Sequence, residues 1–92
     1  MIVRILNEGQ YDVPDIAIEE LNALDDGVVA AIDADDASSF STSLERLLEK
    51  VRERGQVLPD DFLGPSELIL PGLDSSLEEV RSMLGDEGLI PG

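Results

Sequence analysis

Hydrophobic residues follow two different periods along the chain, and each period predicts a different kind of element. Residues 2–6 are mostly aliphatic, residues 7–9 (Asn-Glu-Gly) are a turn signal, and residues 10–13 can return as a second strand. This pattern predicts a β-hairpin. Pro14 then ends the hairpin and suits the first turn of a helix, where its missing N–H costs nothing.

Two longer stretches show the heptad spacing of helices that pack side by side. Their apolar positions are Ala17, Leu21, Leu24, Val28 and Ala31 in the first stretch, and Ala37, Phe40, Leu44, Leu47 and Val51 in the second. A short acidic break, residues 33–36, separates them. The spacing therefore predicts an antiparallel helical hairpin, with the first helix over residues 15–34.

Single residues mark the ends and a weak point of this hairpin. Asp35 or Asp36 can cap the second helix, and Gly55 is a suitable residue just beyond its end. Gly27 lies inside the first helix, where glycine costs about 1 kcal/mol relative to alanine. At Gly27 two alternatives remain open: the first helix bends or pauses there, or it continues.

The remaining third of the chain is punctuated by prolines and predicts shorter elements. Residues 67–70 are an aliphatic run that can pair with the N-terminal hairpin. Ser75 and Glu78 fit a capping box that starts a short third helix, with Gly85 at its end. Its apolar stripe consists of Leu77, Val80 and Leu84. We expect an α+β domain, in which the helical hairpin and the third helix pack with a small sheet from the N-terminal hairpin and the strand near residues 67–70.

The composition predicts a thin aliphatic core. The 92 residues allow one domain and include only three aromatic side chains, Tyr11, Phe40 and Phe62. Because such a core buries little surface, it favours self-association or a partner.

Charge excludes some partners and singles out one helix. The net charge of −15 disfavours nucleic acid and anionic lipid headgroups. Residues 37–56 nevertheless carry four bases against three acids, and Arg46, Lys50 and Arg54 form one column beside the apolar face of the second helix. Two interpretations remain open: intramolecular ion pairs, which we favour because acids of the same chain are nearest, or a docking stripe for an acidic partner.

The residues do not favour catalysis or a metal site. The chain lacks histidine and cysteine, so the commonest general base and the commonest nucleophile are missing, and we expect no enzyme and no cofactor. Residues 33–36 are acidic, but Ala37, Ser38 and Leu44 occupy positions where a calcium loop needs an acid or amide, a glycine and a glutamate. The acidic loop is therefore predicted to be a solvated cap.

We expect a cytoplasmic protein, because no apolar run approaches the roughly 20 residues of a membrane span and no signal-peptide pattern is visible. Leu89 and Ile90, near the end of the chain, have two interpretations. They can pack back on the core, which is the commoner outcome, or they can contact a partner.

Four blocks of the sequence together resemble one protein family. The blocks are MIVRILNEGQYDVP, ELNALDD, VRERGQVLPDDFLGPSELILP and LEEVRSMLGDEGLIPG, in this order along nearly the whole chain. They are similar to the PspA-associated (PspAA) domain, and Gly27 departs from the pattern. The resemblance implies one domain over residues 1–92 with a three-helix core. It also implies a non-enzymatic accessory of phage shock protein A homologues, which are coiled-coil proteins that coat stressed membranes.

The resemblance implies function through protein–protein contact, and it transfers no active-site residue. The predicted partner is a phage shock protein A homologue or a related stress protein, which would bring the chain to the membrane only indirectly. Arg46, Lys50, Arg54, Leu89 and Ile90 are the candidate partner-binding residues. Two alternatives remain: a self-assembling domain such as a homodimer, and a winged-helix transcriptional regulator, which the acidic charge opposes.

The net charge makes a prediction about stability. Self-repulsion among 21 acidic residues destabilises the folded chain most at low salt, so the melting temperature rises as NaCl is added. Thermal unfolding followed by circular dichroism across a NaCl series measures this. A melting temperature that does not change with salt would contradict the interpretation.

Overall fold

The helices pack against one face of a small mixed sheet in the computed structural model, which describes residues 1–59, 61–62, 64, 66–84 and 89. The structure is 54% helix and 16% strand, which confirms the predicted α+β class. The strands are β1 (Ile2–Ile5), β2 (Gly9–Asp12), β3 (Gln56–Val57) and β4 (Leu68–Leu70). The helices are α1 (Ile18–Asp33), α2 (Ala37–Arg54) and α3 (Leu77–Met83), and a 3₁₀ turn at Asp15–Ala17 precedes α1.

The strand order across the sheet is β3-β2-β1-β4. β1 and β2 form the predicted antiparallel hairpin, and β4 joins β1 in parallel with Val3 opposite Leu68. The two-residue strand β3, opposite Tyr11 and Asp12 of β2, was not predicted. Its residues, Gln56 and Val57, are both exposed, so no alternation of buried and polar positions predicts this strand.

Side chains alternate between the two faces of the sheet. Val3 and Ile5 of β1 and Leu68 and Leu70 of β4 are buried and form part of the same core cluster as the helices. Arg4 lies between the two β1 core residues, is exposed, and therefore points to the opposite face together with its register partner Ile69. We call this opposite side the outer face of the sheet.

Helix α1 runs without interruption from Ile18 to Asp33, so of the two alternatives left open at Gly27 the continuous helix is the one observed. The heptad prediction holds for the packing face: Ala17, Leu21, Val28 and Ala31 are buried and Leu24 is half-buried. Gly27 is exposed, and its intrinsic helix penalty is small beside the burial of that face.

Helix α2 buries the widest apolar stripe in the described chain. Its buried side chains are Phe40, Leu44, Leu47, Leu48 and Val51, whereas Ala37 in the first turn is exposed. Asp36 is the N-cap and accepts a hydrogen bond from the Ser39 N–H at 3.1 Å, as one of the two predicted alternatives. Gly55 ends the helix with extended backbone (φ −91°), so close packing rather than a left-handed conformation requires glycine there.

The turn between α1 and α2 is closed by backbone hydrogen bonds and by an arginine from α3. Asp35 adopts a left-handed conformation (φ +56°), and its N–H donates to Ile32 while the Asp36 N–H donates to Ala31. Arg81 donates to the Ile32 carbonyl at 3.0 Å and to Asp35 Oδ1 at 3.1 Å. This one side chain therefore ties α3 to the end of α1.

Helix α3 starts one residue later than the sequence predicted. Its capping box forms between Ser76 and Glu79 and not between Ser75 and Glu78. Both pairs fit the Ser-x-x-Glu motif, so the motif alone does not distinguish them. Glu78 is thereby left to pair with Arg81 at 3.0 Å. The helix ends at Met83, and the predicted terminator Gly85 lies outside the described residues.

The continuous α1 predicts that Gly27→Ala stabilises the protein by about 1 kcal/mol, since alanine has the higher helix propensity. A Cβ at this position would lie 3.7 Å from Ser43 Oγ, which is an ordinary contact. Urea unfolding of the two proteins measures the change in the free energy of unfolding.

The matched control is Gly55→Ala, where the added Cβ would lie 2.7 Å from the Val51 carbonyl oxygen. We expect this variant to be destabilised by about 1–3 kcal/mol, because the neighbouring backbone must move. Equal effects at the two glycines would contradict the described backbone.

Candidate partner-docking surface

The basic column of α2 lies along the seam between α2 and α1. Lys50 Nζ lies 3.8 Å from Glu20 Oε2 and 3.5 Å from Glu53 Oε1. Arg54 Nη2 donates to Glu20 Oε1 at 2.9 Å. Two of the three predicted cations, Lys50 and Arg54, are therefore tied to carboxylates of the same chain, as the favoured interpretation expected.

Arg46 differs from the other two cations of the column. Within the described part of the chain it makes no ion pair, and the Arg46–Glu49 pairing that the spacing allows is not formed. Arg46 lines a shallow depression of about 280 Å³ between the two helices, together with Leu24, Glu49, Lys50 and Glu53. An exposed guanidinium beside a half-buried leucine can bind a carboxylate and cover apolar surface at the same time.

A second depression of about 410 Å³ continues the same seam toward the start of α1. Pro14, Ile16, Ala17, Glu20, Glu53 and Arg54 line it. Ile16 has 89% of its surface exposed, the highest value among the large apolar residues described as exposed. Ile16 was not predicted as a surface residue. The heptad pattern gives little signal for it, because Ile16 lies in the 3₁₀ turn before α1, and Ile18, the other neighbour of the buried Ala17, is half-buried.

Arg52, on another side of α2, fixes the sheet hairpin to the helix. Its Nε donates to Glu8 Oε2 at 2.8 Å and its Nη2 to Glu8 Oε1, while the Tyr11 hydroxyl donates to Glu8 Oε2 at 2.7 Å. The hydrogen bond from Arg52 lowers the pKa of Glu8, and the hydrogen bond to Glu8 raises the pKa of Tyr11. This cluster is structural, because it orients the hairpin turn against α2.

The two candidate residues near the end of the chain have different outcomes. Leu89 is buried in the core cluster, and its N–H donates to Asp25 Oδ1 at 3.2 Å. Its side chain therefore presents almost no surface to a partner in this structure. Ile90 lies outside the described residues. Asp25 is itself only 2% exposed, so the buried face of α1 includes a carboxylate that accepts the Leu89 N–H.

The acidic loop uses its carboxylates internally. Asp36 caps α2, and hydrogen bonds from the backbone and hydroxyl of Ser39 lower its pKa. Asp35 pairs with Arg81 at 3.1 Å. Among the described residues, no three carboxylates are grouped so that they could hold a metal ion.

The fold and these surfaces define a class of protein: a small acidic α+β domain with an exposed seam on a helical hairpin. None of the helices in the described ranges combines the length and the apolar character that a bilayer crossing requires. The chain belongs to the PspA-associated protein family (PspAA), whose model matches residues 1–92. Comparisons with curated proteins and with solved structures gave no match.

The Arg52–Glu8 contact predicts a specific titration. Because the pKa of Glu8 is lower in the folded chain, its stabilising effect is complete above the pKa of Glu8 in the unfolded chain and is lost as the pH falls through the folded-state pKa. In Arg52→Ala, the pKa of Glu8 should rise toward its usual range. Carboxyl chemical shifts in an NMR titration measure this.

Arg54→Ala is the control for this titration, since Arg54 pairs with Glu20 and not with Glu8. It should leave the pKa of Glu8 unchanged. An unchanged Glu8 pKa in Arg52→Ala would show that another group lowers it.

Proposed function

We propose that this protein is a non-enzymatic accessory that binds a phage shock protein A homologue during the membrane stress response. The observation that carries the proposal is the family match over residues 1–92. The family is described by its association with phage shock protein A, and its model matches the chain along the full length. We therefore expect this chain to act through contact with a phage shock protein A homologue.

The composition supports contact rather than catalysis. The sequence contains no cysteine, so it has no thiolate nucleophile, and it contains no histidine, so general acid–base chemistry at neutral pH would have to rely on carboxylates and one lysine. That lysine, Lys50, already lies within 4 Å of two carboxylates, Glu20 and Glu53.

The docking surface that we propose on the hairpin centres on Arg46. Lys50 and Arg54 are satisfied by Glu20, whereas Arg46 is exposed beside Leu24. Arginine in such a position is well suited to bind a carboxylate of a partner helix. Lys50 and Arg54 then shape the seam and contribute less binding energy of their own.

We further propose a cytoplasmic location, with contact to the membrane only through the partner. The charge of −15 supports indirect contact with the membrane, because an acidic chain is repelled from anionic lipid headgroups and from nucleic acid.

The test is a calorimetric titration of this chain with a purified phage shock protein A homologue from the same genome. We expect saturable binding at or below tens of micromolar. No detectable heat or complex at that concentration would overturn the proposed function.

Variants of the seam then test the role of the basic column. Arg46→Gln should weaken binding about tenfold while leaving the melting temperature nearly unchanged, because no described ion pair is lost and no carboxylate is added. Lys50→Glu should instead lower the melting temperature, since it places a third carboxylate beside Glu20 and Glu53. The control is Ser41→Glu, an exposed position of α2 about 140° around the helix from Arg46. Arg46→Gln and Ser41→Glu each change the net charge by −1, so equal weakening by the two would indicate general charge repulsion and not a contact at Arg46.

A further inference from the structure

One edge of the sheet is formed by β4, which pairs with β1 and, in the described ranges, with no other strand. The Leu6 N–H donates to the Leu70 carbonyl at 3.0 Å, so the backbone polar groups of Leu70 face β1. Along a strand these groups alternate sides, and the N–H and C=O of Ile69 therefore face away from β1. This edge offers one donor and one acceptor to an incoming strand.

The side chains beside this edge form a small apolar patch on the outer face of the sheet. Ile69 is 49% exposed and Leu6 is 38% exposed. Arg4 is the register partner of Ile69, and Leu6 follows Arg4 by two residues, so both apolar side chains lie on the outer face. Diagonal neighbours on adjacent strands are close enough to be covered by one residue of a partner.

The charges around the patch limit what can cover it. Two charged residues flank it: Arg4, the register partner of Ile69, and Glu67, which directly precedes β4 and is exposed. The Glu67 N–H donates to the Ile2 carbonyl at 2.9 Å, and among the described residues its carboxylate accepts one long hydrogen bond, 3.4 Å from the Ile2 N–H. A strand added beside β4 would therefore place a side chain next to Glu67 and, two residues along, another next to Ile69.

A second copy of this chain fits the edge poorly. If two copies paired antiparallel about Ile69, Glu67 would lie opposite Pro71, which has no N–H to donate. The strand itself has only three residues, so the ladder could not extend. Each copy also carries a net charge of −15, which opposes association.

We propose that the β4 edge at Ile69 receives an extended segment of the partner chain, with an aliphatic residue beside Ile69 and a lysine or arginine two positions away beside Glu67. The identity of the partner rests on the proposed function, and the surface is separate from the Arg46 seam on α2. The backbone of Ile69 supplies the pairing, and the aliphatic and basic side chains supply the selectivity.

The experiment is the same titration with the phage shock protein A homologue, repeated with edge variants. Ile69→Thr keeps a β-branched residue but removes apolar surface, and should weaken binding about fivefold or more. Its control is Val57→Thr on β3, at the opposite edge, where the wild-type side chain is 67% exposed. Glu67→Lys should weaken binding by a similar factor, and its control is Glu19→Lys on the exposed side of α1.

The outcomes separate the two proposals. Weaker binding by Ile69→Thr and Glu67→Lys, with both controls within about twofold of the wild type, supports the edge site. Wild-type binding that the edge variants leave unchanged overturns the edge site and leaves the proposed function standing. No binding by any form overturns both.

If the wild type is a dimer in sedimentation and Ile69→Thr is a monomer, a second copy occupies the edge and the proposal is wrong. Thermal melts of all four variants verify that each is folded.

Discussion

Burial of the wide apolar stripe of α2 is the interaction on which the rest of the structure depends. Its five buried side chains span 40–51 and lie in the same core cluster as α1, α3 and the sheet. The end of the helix reaches the hairpin, because an added Cβ at Gly55 would lie 3.0 Å from Tyr11 Cβ and 3.1 Å from Val13 Cγ2. In a chain with three aromatic residues, most of this burial is aliphatic, and each fully buried leucine or valine contributes about 1.5–3 kcal/mol.

The few cations of this acidic chain mostly connect elements that the core brings together. Lys50 and Arg54 reach from α2 to Glu20 near the start of α1, Arg52 reaches the hairpin turn, and Arg81 holds the end of α1. Each exposed ion pair contributes little stability by itself. Together the pairs lie where α2 contacts α1 and the hairpin, and where α3 contacts α1. Arg4 and Arg46 are the two arginines without an ion pair among the described residues, and they lie on the outer face and on the hairpin seam.

Sequence periodicity predicted the helical hairpin, the N-terminal strands and the strand near residues 67–70 because each buries one regular face. It failed where two local solutions were equally good or where no side-chain pattern exists. Both Ser75 and Ser76 start a Ser-x-x-Glu motif, and β3 is defined by backbone pairing with β2 alone. At Gly27, where the sequence allowed either a bend or a continuous helix, the helix continues because packing of the α1 face outweighs one glycine.

The candidate surfaces were predictable only in part for the same reason. The column of Arg46, Lys50 and Arg54 follows from helical spacing, but which cation is left without a carboxylate depends on Glu20, a residue about thirty positions away in sequence. The exposure of Ile69 depends on β4 lying at the edge, which requires the strand order of the whole sheet. Such long-range relations are not encoded in the local pattern.

Binding of a phage shock protein A homologue is the central claim, and hydrogen exchange of the full chain with and without that homologue tests it most directly. We expect slower exchange at the Ile69 amide in the complex, with the amides of α1 and α2 unchanged within the core. Faster exchange throughout α1 and α2, or no change at any amide in a saturated complex, would contradict it.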